Sequence, residues 1–423
     1  MNISLADAVH IYFFARVAQY AVERLLALTN YRYTRDRARL EHARNVLGLS
    51  EQDLAQSLAY SEDRFRFGTV VNALTLLLTL GFFINNGLGY AEKWAFTLAG
   101  GFGKAEEIVV GLWFFAILGG LSLAISLPMS YYQTFFIEEK HGFNKQTRKQ
   151  FFIDQLKSLA LTIALGGPVL ALVLWIMKAL GSYWWIYAWI FLSLVSILTA
   201  WIYPTLLAPL FNKFSPLEPG PLKDEIDQLA EKTGFRSDGV FVMDASKRSG
   251  HGNAYFTGIF GKKRIVLFDT LVQMLNPHEI VAVLAHELGH FKLKHVFWGL
   301  VRGLVQTAFI FYLLSLCLPL EPVYVSFGLA GRSDYAALVI FGSFFGIIDF
   351  ILQPFENYLS RKNEFAADEF ALRYAKEKGD LSRALLKLRE KSRSLPISHP
   401  LYSKVYYTHP PLLERLEAIS QKT

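Results

Sequence analysis

Five stretches of the chain are apolar almost without interruption: about 67–88, 107–130, 158–179, 182–205 and 296–319. Each reaches the ~20 residues that a membrane-spanning helix needs. A sixth, about 335–355, carries a single acid, Asp349. A seventh, about 5–28, is interrupted by His10, Arg16, Glu23 and Arg24, and an amphipathic surface helix is the alternative reading for it. It is read as a span because the loop charges alternate consistently only with it. The loops 30–45 and 131–157 and the segments 206–295 and 356–423 are basic, whereas the only basic residues of 89–106 are Lys93 and Lys104, and that of 320–334 is Arg332. By the positive-inside rule, the N-terminus lies outside and both large polar segments face the cytoplasm.

Between the spans the period changes. Residues 221–233 place Ile226 and Leu229 on one helical face, opened by Pro221 and stopped by Gly234. "GVFVMD" (239–244) reads as a strand. Residues 253–269 read as a hairpin turning at Gly261–Lys263, and 278–295 as a helix. The expected fold is mainly α and polytopic, with a small α+β domain on the cytoplasmic face. Its parts are 1–205 (helices one to five with basic loops), 206–295 (polar segment with the hairpin and the 278–295 helix), 296–355 (helices six and seven) and 356–423 (C-terminal segment).

Composition sharpens this picture. Of 423 residues, 52% are hydrophobic and 19% charged, against about 25% charged in soluble domains. The net charge of +7 is spread over loops rather than along one helix, which argues against a nucleic-acid partner. The one cysteine, Cys317, excludes an internal disulfide and a cysteine-based metal site.

The chemistry lies in "AVLAHELGHFKLKH" (282–295). Residues four apart share a helix face, so His286 and His290 can grip one Zn²⁺, with Glu287 beside them to act on its water. A third ligand is required, leaving one position for water. The best candidate is Glu364 in "SRKNEFAADEFA" (360–371), with Asp368 one turn on to orient a ligand histidine. A solvated acidic face is the commoner fate of such a pair. Topology favours the metal: the span 296–319 leaves the polar side after the histidines, and 335–355 returns into Glu364. His409 is a candidate to aim into the site from the tail. His295, nine residues past His286, is expected on the far side of the helix, at the interface. Within the membrane, Arg302 and Asp349 are expected at similar depth, near enough to pair directly or through water, and lining a hydrated chamber.

These residues resemble those of the type I CAAX prenyl endopeptidases, a family of integral-membrane zinc metalloproteases. The resemblance rests on "TFFIEEKHGFNKQT" (134–147), "LLAPLFNKFSPLEPG" (206–220), "GNAYFTGIFGKKRIVLFDTL" (252–271), "VAVLAHELGHFKLKH" (281–295), "SRKNEFAADEFA" (360–371) and "THPPLLERL" (408–416). It implies seven transmembrane helices around an intramembrane chamber, a small α+β zinc-peptidase domain of gluzincin type on the cytoplasmic face, and one zinc held by His286, His290 and Glu364. It implies Glu287 as the base and His409 at the oxyanion. It also implies that Asn253 lies on an edge strand that pairs with substrate. Tyr255, on the same strand, and Arg415, which matches the family's tail, are assigned to substrate binding. The expected partners are a peptide or protein, prenylated in the family, and membrane lipids. The short link 272–283 and the tail "SQKT", which lacks a dilysine signal, point to a bacterial inner-membrane homologue; a eukaryotic one would sit in the endoplasmic reticulum. Two rivals stand beside CAAX processing: a quality-control protease for misfolded or translocon-jammed proteins, and a transporter or lipid channel with a structural metal.

Overall fold

The computed structural model describes residues 7–100, 106–257, 263–377 and 379–422. Its first half is helical. The helices are α1 (Ala8–Tyr33), α2 (Arg37–Leu47), α3 (Glu51–Ile84), α4 (Gly87–Leu98), α5 (Glu107–Tyr132), α6 (Arg148–Leu161), α7 (Gly167–Ala179) and α8 (Trp184–Ile202). Single π turns prolong α5 and α8 and join α6 to α7. Side-chain oxygens start the polar ends: Asp36 accepts from the Arg39 N–H, Ser50 from Asp53 and Thr147 from Gln150, satisfying donors left free in the first turn.

Among the described residues, six helices are long and apolar enough to cross a membrane: Glu51–Ile84, Glu107–Glu138, Arg148–Ala179, Gly181–Leu210, His295–Cys317 and Asp334–Tyr374. The weak seventh segment forms α1, which is too polar to join those six yet packs beside α3 and α14. The 89–106 segment, expected as a loop, contains most of α4, because Ala91 and Ala95 bury fully or nearly so against the far ends of the spans. The apolar windows of the six helices are only 0% to 22% buried, so they do not close into a solid bundle. A cavity of about 570 Å³ opens between α3 and α5, lined in part by Thr75, Thr79, Ser122, Ser126 and Gln133.

The second half builds the polar end. It contains β1 (Phe214–Pro216), α9 (Pro221–Lys232), β2 (Val240–Met243), β3 (Ala254–Thr257), β4 (Arg264–Phe268), α10 (Asp269–Met274) and α11 (Pro277–Lys292). Then follow α12 (His295–Cys317), α13 (Glu321–Ser326), α14 (Asp334–Tyr374), α15 (Asp380–Ser392), α16 (Pro400–Tyr406) and α17 (Leu412–Ser420). The sheet order is β1-β2-β4-β3, with β2 and β4 parallel and the other pairs antiparallel. Gly234 ends α9 with φ +60°, a left-handed conformation that favours glycine. The expected hairpin turn, Gly261–Lys263, lies outside the described residues apart from Lys263.

One sheet face, carrying Ala254, Ile265 and Leu267, packs on Ile280, Leu284 and Leu288 of α11. Burying each such large aliphatic side chain stabilises the fold by roughly 1.5–3 kcal/mol. At the opposite end of the molecule, Tyr12, Leu88, Phe114, Met177, Trp184, Phe311 and Tyr335 share a second core. The two cores fix the direction of every long helix. α1 starts at the far end and finishes beside α2, and α14 starts at the far end and finishes in the catalytic core. α14 has 41 residues, about 62 Å at 1.5 Å each. That is twice the ~30 Å hydrocarbon layer, so its second half stands outside the membrane.

The two halves are stitched together by polar contacts. Arg248 Nε donates to Asp154 Oδ2 at 2.9 Å. Arg389 Nη2 donates to Ser57 Oγ at 2.8 Å. Asn30 Oδ1 accepts from Ser398 Oγ at 2.9 Å and from the His399 N–H at 2.8 Å.

Candidate metal centre

α11 opens with a capping box: Asn276 accepts from the Glu279 N–H while Glu279 returns a carboxylate to the Asn276 N–H, with Pro277 in the first turn. Glu279 is buried and meets Lys387 of α15 at 2.7 Å, which compensates its charge. The helix is thereby fixed at its start. At its active turn it approaches α14 closely. A Cβ on Gly289 would lie 3.1 Å from Ala367 Cα and 3.1 Å from Phe370 Cβ, so the glycine of "HELGH" is a contact requirement.

This close crossing brings the two i, i+4 pairs face to face. His286 Nε2 lies 3.4 Å from Glu364 Oε2, and His290 Nε2 lies 3.2 Å from Glu364 Oε1. The two Nε2 atoms are 3.2 Å apart. One donor atom from each of His286, His290 and Glu364 falls within 4.8 Å of the others. Two imidazole nitrogens and a buried carboxylate oxygen without a hydrogen-bond partner converge on one point. Such a donor set suits a divalent cation.

Behind the ligands, Asp368 Oδ1 lies 2.8 Å from His286 Nδ1. Arg415 grips the same carboxylate in a fork, Nε to Oδ2 at 2.9 Å and Nη2 to Oδ1 at 2.6 Å. Burial disfavours a charge on His286, but Asp368 and Glu364 outweigh it, and its pKa is pushed up to about 9. The pocket therefore favours a positive charge at His286. Glu287 points into a cavity of about 110 Å³ shared with Asn253, Ala254, His409 and Arg415. Burial raises its pKa, which strengthens its carboxylate as a proton acceptor.

Comparison with known proteins covers nearly the whole chain. The family model described as CAAX prenyl protease N-terminal, five membrane helices, matches residues 32–213. That of peptidase family M48 matches 216–423. The chain belongs to peptidase family M48. The "CAAX prenyl protease 1 homolog" of Dictyostelium discoideum is 38% identical over 379 residues, 88% of each chain. The "CAAX prenyl protease 1" of Saccharomyces cerevisiae is 41% identical over 334 residues, 75% of this chain and 74% of that one. The crystal structure of Ste24p from S. mikatae superposes with a TM-score of 0.92 at 34% identity, covering 99% of this chain and all of that one. The protein is thus a multi-pass integral-membrane metalloendopeptidase acting on peptide or protein.

Within this M48 frame, some expected site residues stand elsewhere. β3 lies at one edge of the sheet, with β1 at the other, and Asn253 sits just before β3, its carbonyl accepting from the Phe268 N–H at 2.9 Å. Tyr255 does not line the catalytic cavity. Strand alternation turns it to the other sheet face, against Phe268 and beside Met243 and Val266. Arg415, expected at substrate, spends its fork on Asp368, although it borders the cavity. His409 Nε2 reaches 3.4 Å from Glu364 Oε1.

His295 is not on the far side. The helix breaks at Lys294, whose φ is +59°, and α12 restarts at His295. The break swings the His295 ring back until its Nδ1 is 3.0 Å from His290 Nδ1. Nothing in "FKLKH" signals a left-handed lysine. The only sequence cue is a third histidine close to the first two.

Proposed function

We propose that the protein is a zinc endopeptidase that trims the C-terminal end of extended, CAAX-type peptides from the cytoplasmic side of the membrane. The observation that carries this is the convergence of His286, His290 and Glu364 beside the carboxylate of Glu287 and the outer strand β3. One Zn²⁺ fits these three ligands; when bound, it acidifies water and polarises a carbonyl, leaving a position open as catalytic sites do. A closed structural site would need a fourth protein ligand, and among the described residues three gather here, which argues against the transporter alternative.

The chain's own residues then act as follows. Glu287 takes the proton of the attacking water and returns it to the departing amine. His409 donates a hydrogen bond to the oxygen that gains charge on the scissile carbonyl. Asp368, held by Arg415, fixes the ring and tautomer of His286. β3 offers its outer edge to the backbone of an extended peptide, which fixes register without a fixed sequence. The cytoplasmic assignment follows from the basic loops 30–45 and 131–157, which gather at the same end as the site. The CAAX assignment rests on the names of the relatives.

The test is peptide cleavage by purified protein in lipid, read by mass spectrometry. A farnesylated CAAX peptide is expected to be cut on the carboxyl side of its cysteine, to survive when a chelator is present, and to be cut again when zinc is restored. Chelator-insensitive cleavage, or no cleavage of any extended peptide, rejects the reading.

A further inference from the structure

A second polar cavity, of about 530 Å³, lies beside the catalytic one. The two are linked along two segments. His251 lines this cavity and Asn253 the catalytic one; Tyr407 lines this cavity and His409 the catalytic one. Two residues of extended chain span about 7 Å.

The lining is cationic. Arg35, Arg64 and Arg393 contribute guanidinium groups, and none of the lining residues is an Asp or Glu. Arg35 is neutralised by Glu62 at 2.8 Å. Among the described residues, no carboxylate lies within ion-pair distance of Arg64 or Arg393. Both are held on an aromatic floor. The Arg64 guanidinium carbon lies 5.4 Å from the Tyr60 ring centre, and that of Arg393 lies 5.6 Å from Phe143. Tyr60 and Phe143 pack at 4.9 Å, and Phe143 stacks on His251 at 4.5 Å.

The loop that carries Arg393 is also anchored. Buried Arg389 donates from Nε to the Ser394 carbonyl at 2.8 Å and from Nη2 to Ser57. Arg393 itself sits at φ +49°, a strained conformation for a large side chain. Strain of this kind is retained where the surroundings enforce it, and it concentrates at ligand sites.

We propose that this cavity binds the free C-terminal carboxylate of the peptide being cut, with Arg64 and Arg393 as its recognition residues. The proposal rests on the peptidase reading above and on β3 as the strand that pairs with substrate. An antiparallel partner of β3 has its C-terminal end beside the start of β3, where His251 opens into the cavity. Antiparallel pairing is the more stable and more frequent arrangement. The short link between the cavities places the carboxylate about two or three residues beyond the cut. The site would thus measure distance from the chain terminus and select substrates by their end rather than by their sequence.

The experiment compares two peptides of identical sequence, one ending in a free carboxylate and one in a primary amide. The wild-type protein is expected to favour the acid in kcat/KM by about 10- to 100-fold, as loss of hydrogen bonds to a charged group implies. In the Arg64→Gln, Arg393→Asn double variant, that ratio should fall to about one while zinc content is unchanged; asparagine tolerates the left-handed backbone. Equal use of acid and amide by the wild type overturns the proposal, as does an unaltered preference in the double variant. As a check that needs no variant, a tripeptide with a free carboxylate should inhibit the wild type far better than its amide, and equal inhibition overturns the proposal. Vesicles of phosphatidylglycerol should leave the acid preference intact relative to phosphatidylcholine; if they abolish it, the arginines serve a lipid phosphate. Failure of the peptidase reading looks different: zinc-loaded wild type then cuts neither peptide.

Discussion

His290 and His295 face each other, Nδ1 to Nδ1, at 3.0 Å. On an unbroken helix, residues five apart point about 140° away from each other. The left-handed Lys294 between them removes that separation. A ligand histidine is oriented by whatever its other ring nitrogen meets, and here that partner is a second imidazole. Replacing His295 by Ala should weaken zinc binding by about 10- to 100-fold. Competition with a calibrated chelator measures this, and unchanged affinity would remove His295 from the site.

Glu287→Gln keeps the shape of the side chain and leaves the ligands alone, but it cannot accept a proton. Zinc content should remain at one per chain, while peptide turnover drops at least ~100-fold. Near-normal turnover would reassign the base.

Gly289→Ala tests the crossing of α11 and α14. The added methyl would meet Ala367 and Phe370 at 3.1 Å. Overpacking of this kind costs roughly 1–3 kcal/mol. The expected result is a lower Tm in detergent together with weaker zinc retention, because the same crossing sets the ligand distances. A variant with wild-type Tm and zinc content would show that the helices can part without consequence.

Metal uptake should depend on pH in a defined direction. The His286 pKa is pushed up to about 9, so at neutral pH the metal must displace its proton. Apparent zinc affinity should therefore rise by about tenfold per pH unit up to pH 9 and level off above. Isothermal titration in buffers of different ionisation enthalpy reads the released proton directly. A flat profile between pH 6 and 9 would contradict the raised pKa.

Much of the metal centre was legible because helical spacing is strict: two i, i+4 pairs on helices joined by a membrane hairpin can meet only at one end. The strand and hairpin were legible from period-two alternation. What the sequence hid was set by tertiary contacts. Arg302 was expected opposite Asp349, but its Nε lies 3.5 Å from Glu356 Oε2. A long arginine reaches toward the polar end of its helix, where a half-hydrated carboxylate costs less than one at mid-membrane. The fork of Arg415 on Asp368 and the face taken by Tyr255 depend on how α17 and β4 pack, and neither leaves a periodic signature. The unpaired arginines 64 and 393 lie 329 positions apart, a pairing that only the folded chain discloses.

Because Asp154, Ser57 and Asn30 hold residues of the second half, the catalytic part is no portable module on a membrane anchor. The last helix carries Arg415, and the residues just before it carry His409. Both border the reaction cavity. During synthesis, the growing chain must therefore insert the spans described above and release α17 before the cleft is complete. Chain order alone thus delays assembly of the reaction cavity until the spans that support it are in place.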